Sequence, residues 1–276
     1  MTPTTSQETR ARELRRLHEP GELLLLANVW DAGSARMFEA CGAVAIATTS
    51  AGLAWSRGYP DGDALPRATL AAAVAEIARV LSVPLTVDVE GGYSSDPREV
   101  GDAVTAVIEA GAVGINLEDG AAPPDLLSAK IAAARAAADR AGVALFINAR
   151  TDVCLRGLVP PDRAVAEVIE RARRYREAGC DGIFVPYLAE PEAVRSVAAG
   201  IALPLNVMLM PGLPPVAELR ALGVRRISAG SSIAQAAYGL ARRAAAEFLR
   251  DGRYETMFEA GADYGELNRL FLASRA

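Results

Sequence analysis

Residues 84–120 read PLTVDVEGGYSSDPREVGDAVTAVIEAGAVGINLEDG, and the order of their patterns decides the fold. Leu85–Val89 is a short β-branched run that meets charge at Asp88 and Glu90. Glu99–Ala110 is an amphipathic stretch that stops at Gly111, a residue that takes the left-handed helix-ending conformation without a Cβ penalty. Gly114–Glu118 is a second aliphatic run, again ending in carboxylates, Glu118 and Asp119. Strand, helix and strand in this order make a parallel βαβ unit with a right-handed crossover.

The same alternation runs outward in both directions. Further strands are expected at Leu23–Asn28, Ala43–Thr48, Ala144–Asn148, Gly182–Val185, Leu205–Leu209 and Arg226–Ala229. Helical patterns lie between them at Leu70–Leu81, Leu127–Ala141, Pro161–Ala178, Glu192–Ala198 and Pro215–Leu222, several followed at once by Gly. Eight strands within about 210 residues fit an α/β fold of the closed (β/α)8 TIM-barrel type better than an open doubly wound sheet. No GxGxxG follows the first strand, which weighs against a dinucleotide-binding fold. A single barrel domain over residues 1–276 is expected, with 233–276 as a C-terminal helical extension built from Ile233–Asp251 and Arg253–Ala273. One of those helices is surplus to eight βα units, so a homo-oligomer, dimer or tetramer, is expected through them.

Composition narrows the function. The chain is 51% hydrophobic but only 5% aromatic, the Ala/Val/Leu/Ile diet of a helix-wrapped parallel sheet. A net charge of -5 suits a soluble cytoplasmic protein and argues against a nucleic-acid partner. Cys41, Cys154 and Cys180 have no metal-type spacing and fit a reduced compartment. The first twenty residues have no apolar signal-like core, and no apolar run is long enough for a membrane span. The one histidine, His18, falls in a charged segment that reads as a surface helix. Histidine-based triads, His-rich zinc sites and a His general base are thereby excluded, leaving carboxylates, Arg, backbone amides and a metal.

In a barrel, polar residues at the C-terminal strand ends face the active site. Those ends carry Asp88 and Glu90, then Glu118 and Asp119, then Asn148, Arg150 and Asp152, with Asn206 at the turn from apolar strand to loop. Asp88 and Glu90 are two apart and so share a strand face, and Glu118 on the next strand can meet them. Three converging carboxylates repel unless a cation neutralises them, and an oxygen-only set points to Mg2+ or Mn2+. The competing reading is a salt-bridge ring with Arg150 and other rim arginines. Arg150 is the natural fork for a substrate carboxylate, or else the neutraliser of Glu118 or Asp152. Thr48-Thr49-Ser50-Ala51-Gly52 brings small residues to a strand end, where backbone amides can approach an anion. Gly58-Tyr59-Pro60-Asp61-Gly62 follows, either a loop over the mouth or an ordinary turn.

From Asn28 to Ser232 these segments together resemble the isocitrate lyase/phosphoenolpyruvate mutase superfamily. The resemblance rests on Thr49–Gly52 with Asp61, Asp88-Val89-Glu90-Gly91-Gly92-Tyr93, Asn116-Leu117-Glu118-Asp119 and Ala149-Arg150-Thr151-Asp152. It implies that amides over Thr49, Ser50, Ala51 and Gly52 hold a substrate carboxylate, with Asp61 near the reacting atoms. It implies Asp88, Glu90 and Glu118 as the metal set, Arg150 as the substrate grip, and chemistry through an enolate. Two departures stand out. Glu90 replaces the family's second metal-segment Asp, and the long gating loop with its Lys-Lys/Arg-Cys-Gly-His run is missing. Here Asp119 to Asp125 passes almost directly into the next helix.

These features predict a Mg2+-dependent carbon–carbon lyase-type enzyme for a small 2-oxo or 2-hydroxy di- or tricarboxylate, with Asp61 and Arg150 catalytic and Asn206 a further polar contact. One alternative is P–C chemistry of the phosphoenolpyruvate mutase or phosphonopyruvate hydrolase kind. That chemistry should need extra cations near the metal, for which only Arg57 and Arg156 offer themselves beyond Arg150. The other alternative is a barrel that binds an oxo acid without turnover.

Overall fold

The computed structural model describes residues 5–21, 23–259 and 261–272. Its strands form one all-parallel sheet, wrapped by helices into a (β/α)8 barrel. The expected first strand is split at Ala27 into β1 (Leu24–Leu26) and β2 (Asn28–Val29). β2 pairs with β3 (Ile46–Thr48), and from there the sheet runs through β4 (Leu85–Asp88), β5 (Gly114–Glu118), β6 (Phe146–Arg150), β7 (Gly182–Phe184), β8 (Leu205–Met208) and β9 (Val224–Ser228). β9 returns to pair with β1, Leu24 opposite Arg226, so the two halves of one broken strand close the ring.

The crossover helices pack outside. They are α2 (Ala32–Ala40), α4 (Arg67–Arg79), α5 (Pro97–Glu109), α6 (Pro124–Ala141), α8 (Pro161–Glu177), α9 (Pro191–Gly200) and α10 (Val216–Ala221), with short α3 (Ser50–Trp55) and α7 (Val153–Arg156) in the loops. Local chemistry sets their ends. Asp31 and Ser34 make a reciprocal capping box that starts α2, and Asp96 caps α5 ahead of Pro97. Gly142 ends α6 at φ 68°, a conformation an L side chain resists. The core between sheet and helices is aliphatic: Val87, Val104, Ile115, Ile131, Ile147, Val168 and Val207 are fully buried.

α1 (Thr5–Arg16) closes the N-terminal end of the barrel. Arg15 donates to the carbonyls of Ala144 and Leu145 and pairs with Asp181 at 2.9 Å, while Gln7 bonds the carbonyls of Ile108 and Ala112. His18 corrects a sequence expectation. α1 ends at Arg16, so His18 is not on an exposed helix face but is buried, stacked on Phe146 with centroids 3.9 Å apart. Its Nδ1 lies 2.7 Å from the Leu14 carbonyl, and burial, reinforced by the charge of Arg226, pushes the ring down to about 3.

At the other terminus α11 (Ser232–Asp251) has only Ala234 buried among its twenty residues. The stretch expected as one helix over 253–273 is two, α12 (Glu255–Glu259) and α13 (Tyr264–Leu272), and residues 273–276 lie outside the described residues. α13 returns to α2, where Arg36 donates to the Leu270 carbonyl at 3.0 Å.

Candidate active site at the C-terminal rim

β4, β5 and β6 each end on the charged residue expected of them: Asp88, Glu118 and Arg150. Their parallel register places Glu118 directly opposite Arg150. Arg150 Nη1 lies 2.7 Å from Glu118 Oε2, its Nε donates to Asp152 Oδ1 at 2.7 Å, and its Nη2 to Asp152 Oδ2 at 3.3 Å. The guanidinium also stands 5.7 Å over the Phe184 ring. Burial works against its charge, but Glu118, Asp152 and Asp88 more than compensate and hold it above its ordinary range. Arg150 therefore has the partners foreseen by the salt-bridge reading.

Asp88 and Glu118 are poorly neutralised by comparison. Among the described residues the Asp88 carboxylate accepts from the Ser50 amide at 3.5 Å and the Glu90 amide at 3.3 Å, with the Ser50 side chain also favouring its charged form. Burial raises its carboxyl; Arg150 pulls it back, and the charge of Asp61 adds to the rise. Burial likewise pushes Glu118 up to about 8 against the pull of Arg150, with Asp88, Asp152 and Glu90 adding to the effect. Two carboxylates that resist ionisation in a shared mouth fit a hard divalent cation. Among the described residues no three His, Cys, Asp or Glu side chains form a ready-made cation cage. The donor set suits the Mg2+ mode, in which one or two carboxylates serve and the other positions go to water and substrate.

Glu90 points elsewhere. The strand ends at Asp88, and Glu90 takes φ 51°, so the two-residue alternation that would have aligned it with Asp88 is broken. Its Oε2 accepts from the amides of Gly62 (2.8 Å) and Asp63, and its Oε1 from the Tyr93 hydroxyl at 3.0 Å. Asp61 is exposed on the loop thereby held, with its charge felt at both Asp88 and Glu90.

The small-residue strand end becomes the start of α3. Thr49 caps it, its hydroxyl accepting from the Gly52 amide at 3.5 Å. Ser50 and Ala51 occupy the first turn. Gly52 serves packing, since a Cβ there would meet Trp30 Cβ at 2.9 Å and Thr49 Cγ2 at 2.7 Å. Asn206 lies one layer below the mouth, as the second residue of β8 and fully buried. Its Oδ1 accepts from Asn148 (3.0 Å) and Ser228 (3.1 Å), and its Nδ2 donates to the carbonyls of Val207 (2.7 Å) and Arg226 (3.2 Å). That uses the hydrogen-bonding capacity of the amide within the barrel. The same layer holds Arg226, fully buried and pushed down to about 9 by burial, with one bond to Asn116 Oδ1 at 3.2 Å.

Asp119 and Asp152 form a second carboxylate group behind the rim. Asp119 accepts from Arg171 (2.8 Å), the Tyr175 hydroxyl (2.7 Å) and the Asp152 amide (2.8 Å), with its side chain wholly shielded. Only residues 119–123 separate β5 from α6, so the loop is as short as the sequence indicated. Sequence reasoning passed over Lys130, the only lysine among 29 Lys and Arg residues. It lies in the buried stripe of α6 with Leu127, Ile131 and Ala134, and donates to the Gly91 carbonyl at 2.6 Å. A lone lysine on an apolar helix face was the available signal.

The phosphoenolpyruvate phosphomutase family model matches residues 14–249. The chain belongs to that family. It is an enzyme of the isocitrate lyase/phosphoenolpyruvate mutase superfamily. An uncharacterized protein of Mycobacterium tuberculosis is 37% identical over 219 residues, covering 78% of this chain and 80% of its own length. Paraburkholderia xenovorans oxaloacetate decarboxylase is 29% identical over 238 residues, covering 81% and 76%. Among solved structures, a Burkholderia cenocepacia protein provisionally named a phosphonomutase is 44% identical with TM-score 0.80, over 85% of this chain and 98% of that one. Phosphonopyruvate hydrolase in complex with oxalate and Mg2+ is 26% identical with TM-score 0.83, over 100% and 96%. Members of the superfamily thus divide between carbon–carbon lyases and P–C enzymes.

Proposed function

We propose that this chain is a Mg2+-dependent lyase-type enzyme that cleaves a carbon–carbon bond in a small 2-oxo or 2-hydroxy di- or tricarboxylate through an enolate. The observation that carries the reading is the trio at the rim: Asp88 and Glu118 insufficiently neutralised, beside the planar fork of Arg150. Asp88 and Glu118 would hold the ion. When bound, Mg2+ supplies positive charge where enolate charge develops on the substrate. Arg150 would grip the substrate carboxylate, with the Ser50 and Ala51 amides beside it. Glu118 and that carboxylate compete for Arg150 Nη1, so the grip forms when Glu118 has turned to another partner. Asp61, on its loop above Asp88, would orient a hydroxyl or water.

A turnover screen with and without Mg2+ tests this, using oxaloacetate, isocitrate, methylisocitrate, malate derivatives and phosphonopyruvate, with oxalate binding followed by calorimetry. Metal-dependent release of pyruvate or glyoxylate from a carboxylate substrate is the expected result. Phosphate release from phosphonopyruvate alone would replace it with P–C chemistry, which the names of two similar structures favour. Oxo-acid binding with no turnover would replace it with a binding role. We further propose that α11 to α13 join subunits, because Phe248, Leu249, Phe258, Tyr264 and Leu272 are exposed there. Sedimentation should give a dimer or tetramer, and a monomer would refute that.

A further inference from the structure

Two turns grip each other at the mouth: residues 61–63, which follow α3, and residues 90–93, which follow β4. The grip is reciprocal. Glu90 accepts from the amides of Gly62 and Asp63, and Asp63 Oδ1 accepts from the amides of Gly91 and Tyr93, both at 3.2 Å. The Tyr93 hydroxyl and Lys130 Nζ fasten it from the sides, the latter on the Gly91 carbonyl. Asp63, Glu90 and Tyr93 all hold left-handed backbone, at φ 57°, 51° and 59°. Non-glycine residues keep such conformations only where their surroundings over-determine them. A Cβ at Gly91 would stand 2.8 Å from Asp63 Oδ2 and push that carboxylate aside.

We propose that Glu90, Asp63 and Lys130 form a positioning clasp that fixes the Asp61 loop over Asp88, with Glu90 holding the loop rather than the cation. Three observations meet in it. Both Glu90 oxygens accept hydrogen bonds, Oε2 from two loop amides and Oε1 from Tyr93. The chain's single lysine is buried with its ammonium on the turn Glu90 begins, close enough that the charges of Asp63 and Glu118 are felt there. The neighbouring loop, residues 119–123, is short, and the loop that carries Asp61 is held through Gly62 and Asp63 by the 90–93 turn. Lys130, Asp63 and Glu90 act through Asp61, which is why they are positioning residues. The inference rests on the proposed function only in taking Asp61 as a site residue and Asp88 as a cation ligand.

The experiment compares wild type, Glu90→Gln, Lys130→Met, Lys130→Arg and Asp88→Asn by hydrogen exchange, Mn2+ titration and steady-state kinetics. Amides of residues 61–63 and 91–93 should exchange about tenfold or more faster in Glu90→Gln and Lys130→Met, with Lys130→Arg restoring protection. Mn2+ affinity should stay within about threefold of wild type in those variants and fall about 100-fold in Asp88→Asn, whose loop stays protected. Kinetically, the clasp variants should lower kcat more than they raise KM, since Asp61 rather than the carboxylate grip is disturbed. Because Lys130 is the only ε-amine, acylation by an N-hydroxysuccinimide ester reports on it alone beyond the α-amine. That reaction should accelerate about tenfold in Glu90→Gln. A large loss of Mn2+ affinity in Glu90→Gln with an unchanged loop would overturn the proposal and make Glu90 a ligand. Should Lys130→Met fail to fold, Glu90→Gln and the acylation rate still decide. If wild type binds no Mn2+, the metal reading fails, while the exchange pattern still decides the clasp.

Discussion

Two carboxylate groups sit within the same barrel end and differ in what surrounds them. Asp119 and Asp152, behind the rim, are fully shielded and met by Arg171, Tyr175, Arg150, Arg156 and a backbone amide. Among the described residues Asp88 and Glu118, at the mouth, have between them two long amide contacts, the Ser50 side chain and one shared guanidinium. Buried charge with matched partners holds structure together, whereas buried charge left short of partners is destabilising unless something else arrives. The first pair reads as architecture and the second as the pair to which the cation of the proposed function is assigned.

The largest expected effect breaks the architectural pair. Asp119→Asn leaves Arg171 and Tyr175 opposite a neutral amide and should destabilise the protein by about 3 kcal/mol or more in urea unfolding. Mn2+ affinity of the folded fraction should barely change; a selective loss of metal binding would dissolve the distinction. Asp88→Asn should do the reverse. Turnover should fall about 10²–10³-fold, while the metal-free protein melts at the same temperature or gains about 0.5–2 kcal/mol, because an unwanted buried charge is gone. Arg150→Lys keeps the charge and loses the fork. It should weaken oxalate binding by about 1.5–3 kcal/mol, roughly 10- to 100-fold, read by calorimetry. Unchanged oxalate affinity would assign Arg150 to Glu118 and Asp152 alone.

The smallest effect takes the comparison to the opposite end of the barrel. His18 is held neutral by burial, with its pKa down to about 3 from the ordinary 6.5. A depressed histidine contributes stability that is present above pH 6.5 and lost as pH falls toward 3. Between pH 7 and pH 5 wild type should lose about 2 kcal/mol that His18→Leu does not. The single imidazole resonance should stay that of a neutral ring down to about pH 4, and titration near 6.5 would refute the buried placement.

Much of this was legible because the β/α period and the strand ends carry the barrel's information. Asp88, Glu118 and Arg150 are each the last residue of their strands, which is where a period-two pattern breaking into charge says they should be. The placement of Glu90 on the Asp88 strand face fails for a physical reason: the strand rule holds only while the chain stays extended, and the chain turns left-handed there. Asn206 was placed at the turn from strand to loop, whereas it is the second residue of β8, which runs on to Met208 and keeps Asn206 inside. His18 was read on a helix face, but α1 has already ended. Lys130 needed coordinates, since nothing in the sequence says that an α6 side chain reaches a turn thirty-nine residues earlier.

The split first strand bears on how the chain assembles as it is made. Among the described residues β1 has no sheet neighbour other than β9, and α1 fastens to carbonyls and an aspartate as distant as Asp181. Leu24–Leu26 therefore wait for residues some two hundred positions later before they can bond in the sheet. At roughly 5–20 residues per second, about ten to forty seconds pass between the emergence of Leu24 and that of Ser228. Throughout that interval the edges of β2 and the newest strand lie open to pairing. Until the final strand seals the barrel, those open edges are where the nascent chain can mispair.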